Sequence, residues 1–237
     1  MSPAPFLTAA WHNLAMINYE VEASVLLPYV PAGTTLDSWQ GRTFASLVGF
    51  QFLNTKVLGI PIPFHRNFEE INLRFYVRRE VGGEVRRGVV FIRELVPRRA
   101  IALVARAMYN EPYRALPMRH TIVLEPALTA SYSWRLRGRW HRFAVTAQRP
   151  AELPDAGSLE EFITEHYWGY TGQRNGSTIE YQVTHPQWAV SGGVAEVDAD
   201  LVPLYGPDLA AHLQTPASCF IANGSEISVL RPQRIGR

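Results

Sequence analysis

The stretch "FEEINLRFYVRR", residues 68–79, alternates at every step, and which way its two faces point decides the fold. Successive side chains of an extended strand lie on opposite faces. Ile71, Leu73, Phe75 and Val77 therefore share one face, while Glu70, Asn72, Arg74, Tyr76 and Arg78 share the other. A solvent face normally carries a loose mixture of Lys, Glu, Ser and Thr. Glu-x-Asn-x-Arg-x-Tyr is instead a ladder of hydrogen-bonding groups that can line a polar cavity. The period alone fits both an outer surface and an inner wall.

Working outward, Gly82-Gly83 joins this strand to a second one over residues 84–95. Upstream, "LDSWQGRTFASLVGFQF" reads as a strand, a turn at Gln40-Gly41 and a long apolar strand, followed by the Pro-rich loop "LGIPIPFHRN". A strand around residues 15–19 and a short helix within residues 21–29 come first. Downstream, good helix formers between Pro97 and Pro112 predict a helix at about residues 98–109. "RHTIVLEP", "ASYSWRLRG" and "RWHRFAVTAQ" follow as strands, and Ser158-x-x-Glu161 is a capping box that opens the helix "LEEFITEHY". Asn175-Gly176 carries the signature of a type I′ hairpin, with strands continuing through "WAVSGGVAEV", "ASCFIA" and "EISVL". Many short strands with few inserted helices predict an α+β, mostly antiparallel architecture, either a closed barrel or a sandwich. Neither repeats nor a linker interrupt it, so residues 1–237 are expected to form a single domain.

Composition narrows the function classes. With 47% hydrophobic and 19% charged residues and a formal charge of +2, the chain is an ordinary globular protein without acidic or basic tails. Lys56 is the only lysine among 23 basic residues. Imine formation needs a deprotonatable amine that arginine cannot supply, so only Lys56 or the N-terminus could support it. The single Cys219 excludes an intrachain disulfide and any multi-cysteine metal site, and it is expected to be a buried, unreactive thiol. The N-terminus lacks a signal-peptide pattern and no apolar run reaches membrane-spanning length, so a cytoplasmic protein without membrane contact is expected.

No nucleophile elbow, phosphate-binding loop, dinucleotide fingerprint or zinc-protease motif occurs, and the seven histidines are scattered. No metal and no cofactor are expected. "SWRLRGRWHRF", residues 133–143, interleaves arginines with aromatics and by alternation sets Arg135, Arg137, Arg139 and His141 on one side. It is the one candidate for a nucleic-acid or protein interaction module, against the plainer reading of a solvated hairpin face. The small net charge favours the latter.

The blocks "FEEINLRFYV", "GVVFIRELVPRRAIALVARAMYNEPYRALPM", "SLEEFITEHYWGY" and "THPQWAV" resemble, in order and spacing over nearly the whole chain, the bacterial YqjF-like family of unknown function. That family is similar to acetoacetate decarboxylase, which implies a cone-shaped, closed and mostly antiparallel β-barrel with flanking helices and an internal ligand cavity. The superfamily's Schiff-base lysine lies in a pattern like V-G-R-E-x-x-x-x-P-K-K. The matching run here is "VARAMYNEPYR", with Arg106 at the arginine, Pro112 at the proline, and Tyr113 and Arg114 where the paired lysines belong. A lysine-imine decarboxylase is therefore not expected.

The resemblance also places Glu70 at a pocket glutamate, and with it Asn72 and Arg74 inside the cone. Glu70 and Arg74 are then expected in direct or water-bridged contact, either as a ligand site or as a structural ion-pair ladder. For a ligand site, the resemblance implies Glu70 as acid or base, Tyr113 as hydrogen-bond donor, and Asn72, Arg74, Arg106 and Arg114 as binding groups for a small carboxylate or carbonyl compound. Whether the chain catalyses a reaction and whether it forms a homo-oligomer stay open at this level.

Overall fold

The computed structural model describes residues 4–100, 102–103 and 110–236. Strands dominate it. β1 (Leu7–Glu20), β2 (Thr35–Leu36), β3 (Phe44–Val57) and β4 (Ile60–Pro61) precede the hairpin of β5 (Phe68–Val81) and β6 (Glu84–Val96). β7 (Tyr113–Ala115), β8 (Met118–Val123), β9 (Thr129–Leu136) and β10 (Arg139–Ala147) follow. The last group is β11 (Trp168–Gly172), β12 (Thr178–Thr184), β13 (Val190–Asp198), β14 (Ser218–Val229) and β15 (Gln233–Ile235). The helices α1 (Ala23–Leu26), α2 (Leu159–Thr164), α3 (Val202–Tyr205) and α4 (Pro207–His212) are short, and none is long and apolar enough to cross a membrane. The helix expected over residues 98–109 begins at Arg99, and most of it lies outside the described residues.

Antiparallel pairing runs β14–β1–β3–β5–β6. A parallel joint at Trp168↔Gly88 passes it to β11 and then β12. β12 returns to β14 through Val183↔Val229 and Thr184↔Ser228, so the pairing path of these seven strands closes into a ring. From β14 the sheet also extends through β13, β10, β9 and β8. This second arm lies against the outer side of β1 and β3. A Cβ on Gly49 of β3 would come within 2.7 Å of the Tyr132 and Phe143 rings, so only glycine admits the approach.

Both faces of β5 are consequently covered. Ile71, Leu73, Phe75 and Val77 pack outward in one cluster with Tyr132, Trp134 and Phe143, with Leu204 and Leu209 of the helices, and with Leu213 just beyond α4. Each such side chain contributes about 1.5–3 kcal/mol of burial. The other face, from Phe68 to Tyr76, turns into the ring and is buried as well, and Arg78 is the first exposed residue. Neither side of the opening stretch is a solvent side.

Several local expectations change. Glycines 82 and 83, at φ +56° and +85°, do form the tight β5–β6 turn. Gly176 alone takes a positive φ at the later hairpin, because its N–H closes a turn onto Gln173 while the Asn175 side chain accepts from Ser177. Ser158 caps the Glu161 N–H, but Glu161 reaches back to Gly157 rather than to Ser158. α2 stops at Thr164, releasing His166 and Tyr167 towards β11. The two-residue turn at Arg137-Gly138 reverses the alternation of the arginine-aromatic hairpin, so His141 pairs with Trp134 on the core side and is buried. Cys219 is only half-buried, donating to the Gly193 carbonyl.

Candidate functional site

The inner face of β5 sits opposite β3 in strict register: Phe68 faces Phe52, Glu70 faces Phe50, Asn72 faces Val48 and Arg74 faces Ser46. All of these except Ser46 border a cavity of about 520 Å³ inside the ring. Asn54, at φ +55°, makes a bulge that shifts the parity of β3, so the inward set runs Val48, Phe50, Phe52 and then Thr55 and Val57. Asn13 does the same for β1, where Trp11 and Leu14 both face the cavity. Asparagine tolerates this left-handed conformation better than other non-glycine residues.

Glu70 is fully committed. Its Oε1 accepts from Asn72 Nδ2 at 3.0 Å and its Oε2 from the Tyr113 hydroxyl at 2.9 Å. β7 brings Tyr113 there by pairing parallel to β6 at Glu94. Glu94 and Glu111 are buried beside it and hydrogen-bond each other, while Thr171 of β11 and Tyr181 of β12 donate to Glu111 Oε1. Burial raises the pKa of all three carboxyls, and their mutual repulsion adds to this for Glu70 and Glu94. Glu70 is pushed up to about 7, even against the donors from Asn72 and Tyr113. A solvated glutamate would be fully ionised at neutral pH; Glu70 is poised.

Arg74 forms no ion pair with Glu70, although the two share one face, four residues apart in sequence. Among the described residues it has no hydrogen-bond or ion-pair partner, and its Nε is buried and unmatched. Its guanidinium stands 6.0 Å from the centre of the Tyr76 ring. Tyr76 is held by its hydroxyl against Ser46, which in turn donates to Asn18. A cation left this way inside a wall is costly unless something in the cavity answers it.

A second constellation meets the same wall. Asp37, fixed by its N–H to the Tyr76 carbonyl, accepts from Arg87 Nε at 2.7 Å and lies 3.2 Å from His166 Nε2. Burial opposes ionisation of Asp37, but these two partners outweigh it and hold its pKa at about 2. Burial pushes His166 down to about 4, only partly offset by Asp37. The neutral ring therefore donates Nε2–H to Asp37 and leaves Nδ1, in the cavity wall, as a buried acceptor without a partner among the described residues.

Glu70, Asn72, Arg74 and Tyr113 thus converge on one cavity. Arg114 does not border it, since it follows Tyr113 on β7 and takes the opposite face. Arg106 lies outside the described residues. Lys56 is exposed, between Thr55 and Val57 that face inward. Glu94, Glu111, Tyr181, Asp37 and His166 escaped the sequence reading. A carboxylate in the middle of the apolar run "VVFIRELV" was the one visible signal. In the arginine-aromatic hairpin, Arg139 pairs with Asp198 and Arg142 with Glu196, both across to β13.

Comparison with solved structures assigns the ring and its second arm to the acetoacetate decarboxylase-like fold. The chain is similar to acetoacetate decarboxylase from Legionella pneumophila, with a TM-score of 0.69 at 11% identity, covering 99% of this chain and 88% of that one. It is also similar to the enduracididine biosynthesis enzyme MppR complexed with pyruvate, with a TM-score of 0.67 at 13% identity and coverage of 100% and 92%. By sequence, the chain belongs to the DUF2071 family of uncharacterized conserved proteins, whose profile matches residues 8–226. The uncharacterized protein YqjF of Bacillus subtilis (strain 168) is 26% identical to it over 196 residues, 81% of this chain and 78% of the relative.

Proposed function

We propose that the seven-stranded ring is a cone-shaped closed barrel and that its cavity binds a small carboxylate or carbonyl compound. The observation that carries this reading is Arg74 on the cavity wall, its Nε buried and its guanidinium without a hydrogen-bond or ion-pair partner among the described residues. Burial disfavours the charged forms of Glu94 and Glu111, and no carboxylate among the described residues brings a negative charge into contact with Arg74. A ligand carboxylate supplies that charge, and arginine offers it two parallel donors. A protein of this fold exists in complex with pyruvate, an acid of this class.

Glu70, at about 7, is suited to moving a proton on the bound compound, with Asn72 and Tyr113 orienting the carboxyl. Imine chemistry is not part of this reading, because Tyr113 offers a phenol where an amine would be needed. The setting is the reducing cytoplasm, where the lone thiol of Cys219 stays free. Native mass spectrometry of the purified protein tests the reading. A retained organic acid is expected, lost from Arg74→Met; an Arg74→Met variant that retains it equally would overturn the assignment.

A further inference from the structure

Resting on the carboxylate reading of Arg74, we infer that the ligand is an amphipathic monocarboxylic acid. Its head sits at Arg74, and an aryl or medium-chain alkyl body fills an aromatic sleeve that opens beside Leu58 and Ile62. The cavity is two-sided. Its polar groups lie on β5, β6, β7 and β12 and at Glu111 and His166, whereas β1 and β3 present Trp11, Leu14, Val48, Phe50 and Phe52. From Arg74 to Phe68 the strand runs six residues, about 20 Å at the usual rise. A three-carbon acid held at Arg74 ends far short of Phe68.

Beyond Glu70 the lining becomes aromatic. Phe52 stacks on Phe68 at 4.7 Å, and Trp11 stands edge-on to Phe50 at 5.2 Å and to Phe52 at 5.6 Å. Water gains few hydrogen bonds in such a sleeve, so a small polar ligand would leave most of the wall unsatisfied. A volume of about 520 Å³ matches the range that encloses a ligand of roughly drug size. At the mouth, Leu58 and Ile62 border the cavity yet remain 55% and 40% exposed, apolar surface that a ligand tail would cover.

The test is a calorimetric or fluorescence titration with straight-chain acids from butanoate to octanoate and with 3-phenylpropanoate, beside pyruvate. Affinity should rise about fourfold per methylene, the increment for burying one such group. Val57→Trp, at a half-buried position on the sleeve, should move the best chain length downward by two or more carbons. Equal affinity along the series overturns the inference, as does a rise that Val57→Trp leaves unchanged, because the tail would then lie elsewhere. Where that variant fails to fold, the wild-type series still decides. Arg74→Met separates the two readings: chain-length dependence that survives it keeps the sleeve and removes the carboxylate head, whereas flat binding that Arg74→Met abolishes keeps the head and removes the sleeve.

Discussion

Arg74 and Glu70 lie four residues apart on the inner face of β5 and do not pair; Glu70 is taken by Asn72 and Tyr113, and Arg74 is left facing the cavity. A structural ion-pair ladder would have joined them. The difference inverts the expected effect of mutation. Removing one partner of a buried pair costs about 3–5 kcal/mol, whereas removing an unpaired buried cation relieves its desolvation. Arg74→Met should therefore leave stability unchanged or raise it by about 1–3 kcal/mol. Urea denaturation would measure this, and a loss of several kcal/mol would show that Arg74 is paired after all.

The pH dependence of stability follows from Glu70. Its pKa rises from 4.5 to about 7 on folding, so between those values the folded protein holds a proton that the unfolded chain has released. This contribution favours the fold at low pH and is lost as pH rises towards about 7, a swing of about 3 kcal/mol. Glu70→Gln should remove it. Denaturation midpoints measured from pH 4.5 to 7.5 should thus converge for the two proteins at acid pH relative to their separation at pH 7.5, with the variant the more stable at the upper end.

His166 acts in the opposite sense. Its pKa falls to about 4, so its contribution is fully present above about 6.5 and is lost as pH drops to about 4. In the wild type the two slopes offset each other over much of this window. Glu70→Gln should then expose a steeper acid lability, and His166→Gln a shallower one. Nitrogen-15 NMR should find His166 neutral at pH 6 with its proton on Nε2; a charged ring at that pH would contradict the Asp37 arrangement.

Tyr113→Phe deletes the donor to Glu70 Oε2 without changing the shape of the wall. Loss of that bond should cost about 1–3 kcal/mol and raise the Glu70 pKa further, read by carbon-13 NMR of the labelled carboxyl. In the wild type, incubation with pyruvate and borohydride should leave the protein mass unchanged. A stoichiometric adduct at Lys56 would mean that an exposed lysine reaches the ligand by a route absent from the ring.

The strands around residues 68–95 were legible because alternation and a Gly-Gly turn act over a few residues. Cavity and surface were not distinguishable there, since β5 is buried on both faces and both sets of side chains obey the same period. The bulges at Asn13 and Asn54 invert which residues face inward, a change that periodicity cannot register. Glu111, Tyr181 and the Asp37–His166 pair meet the cavity only through ring closure, across contacts of 70 and 129 residues in sequence. Tyr113 was found through family resemblance, whereas Glu70 came from the alternating ladder, with the resemblance choosing its inward face.

The most direct test of the Arg74 assignment is calorimetric titration of 3-phenylpropanoate into the wild type, Arg74→Met and Arg78→Met. Arg78 is on the same strand but exposed beyond the ring, so its variant controls for charge alone. Binding to the wild type and to Arg78→Met with similar affinity, together with at least a tenfold loss in Arg74→Met, is the predicted result. Equal binding by all three proteins would contradict a carboxylate site at Arg74.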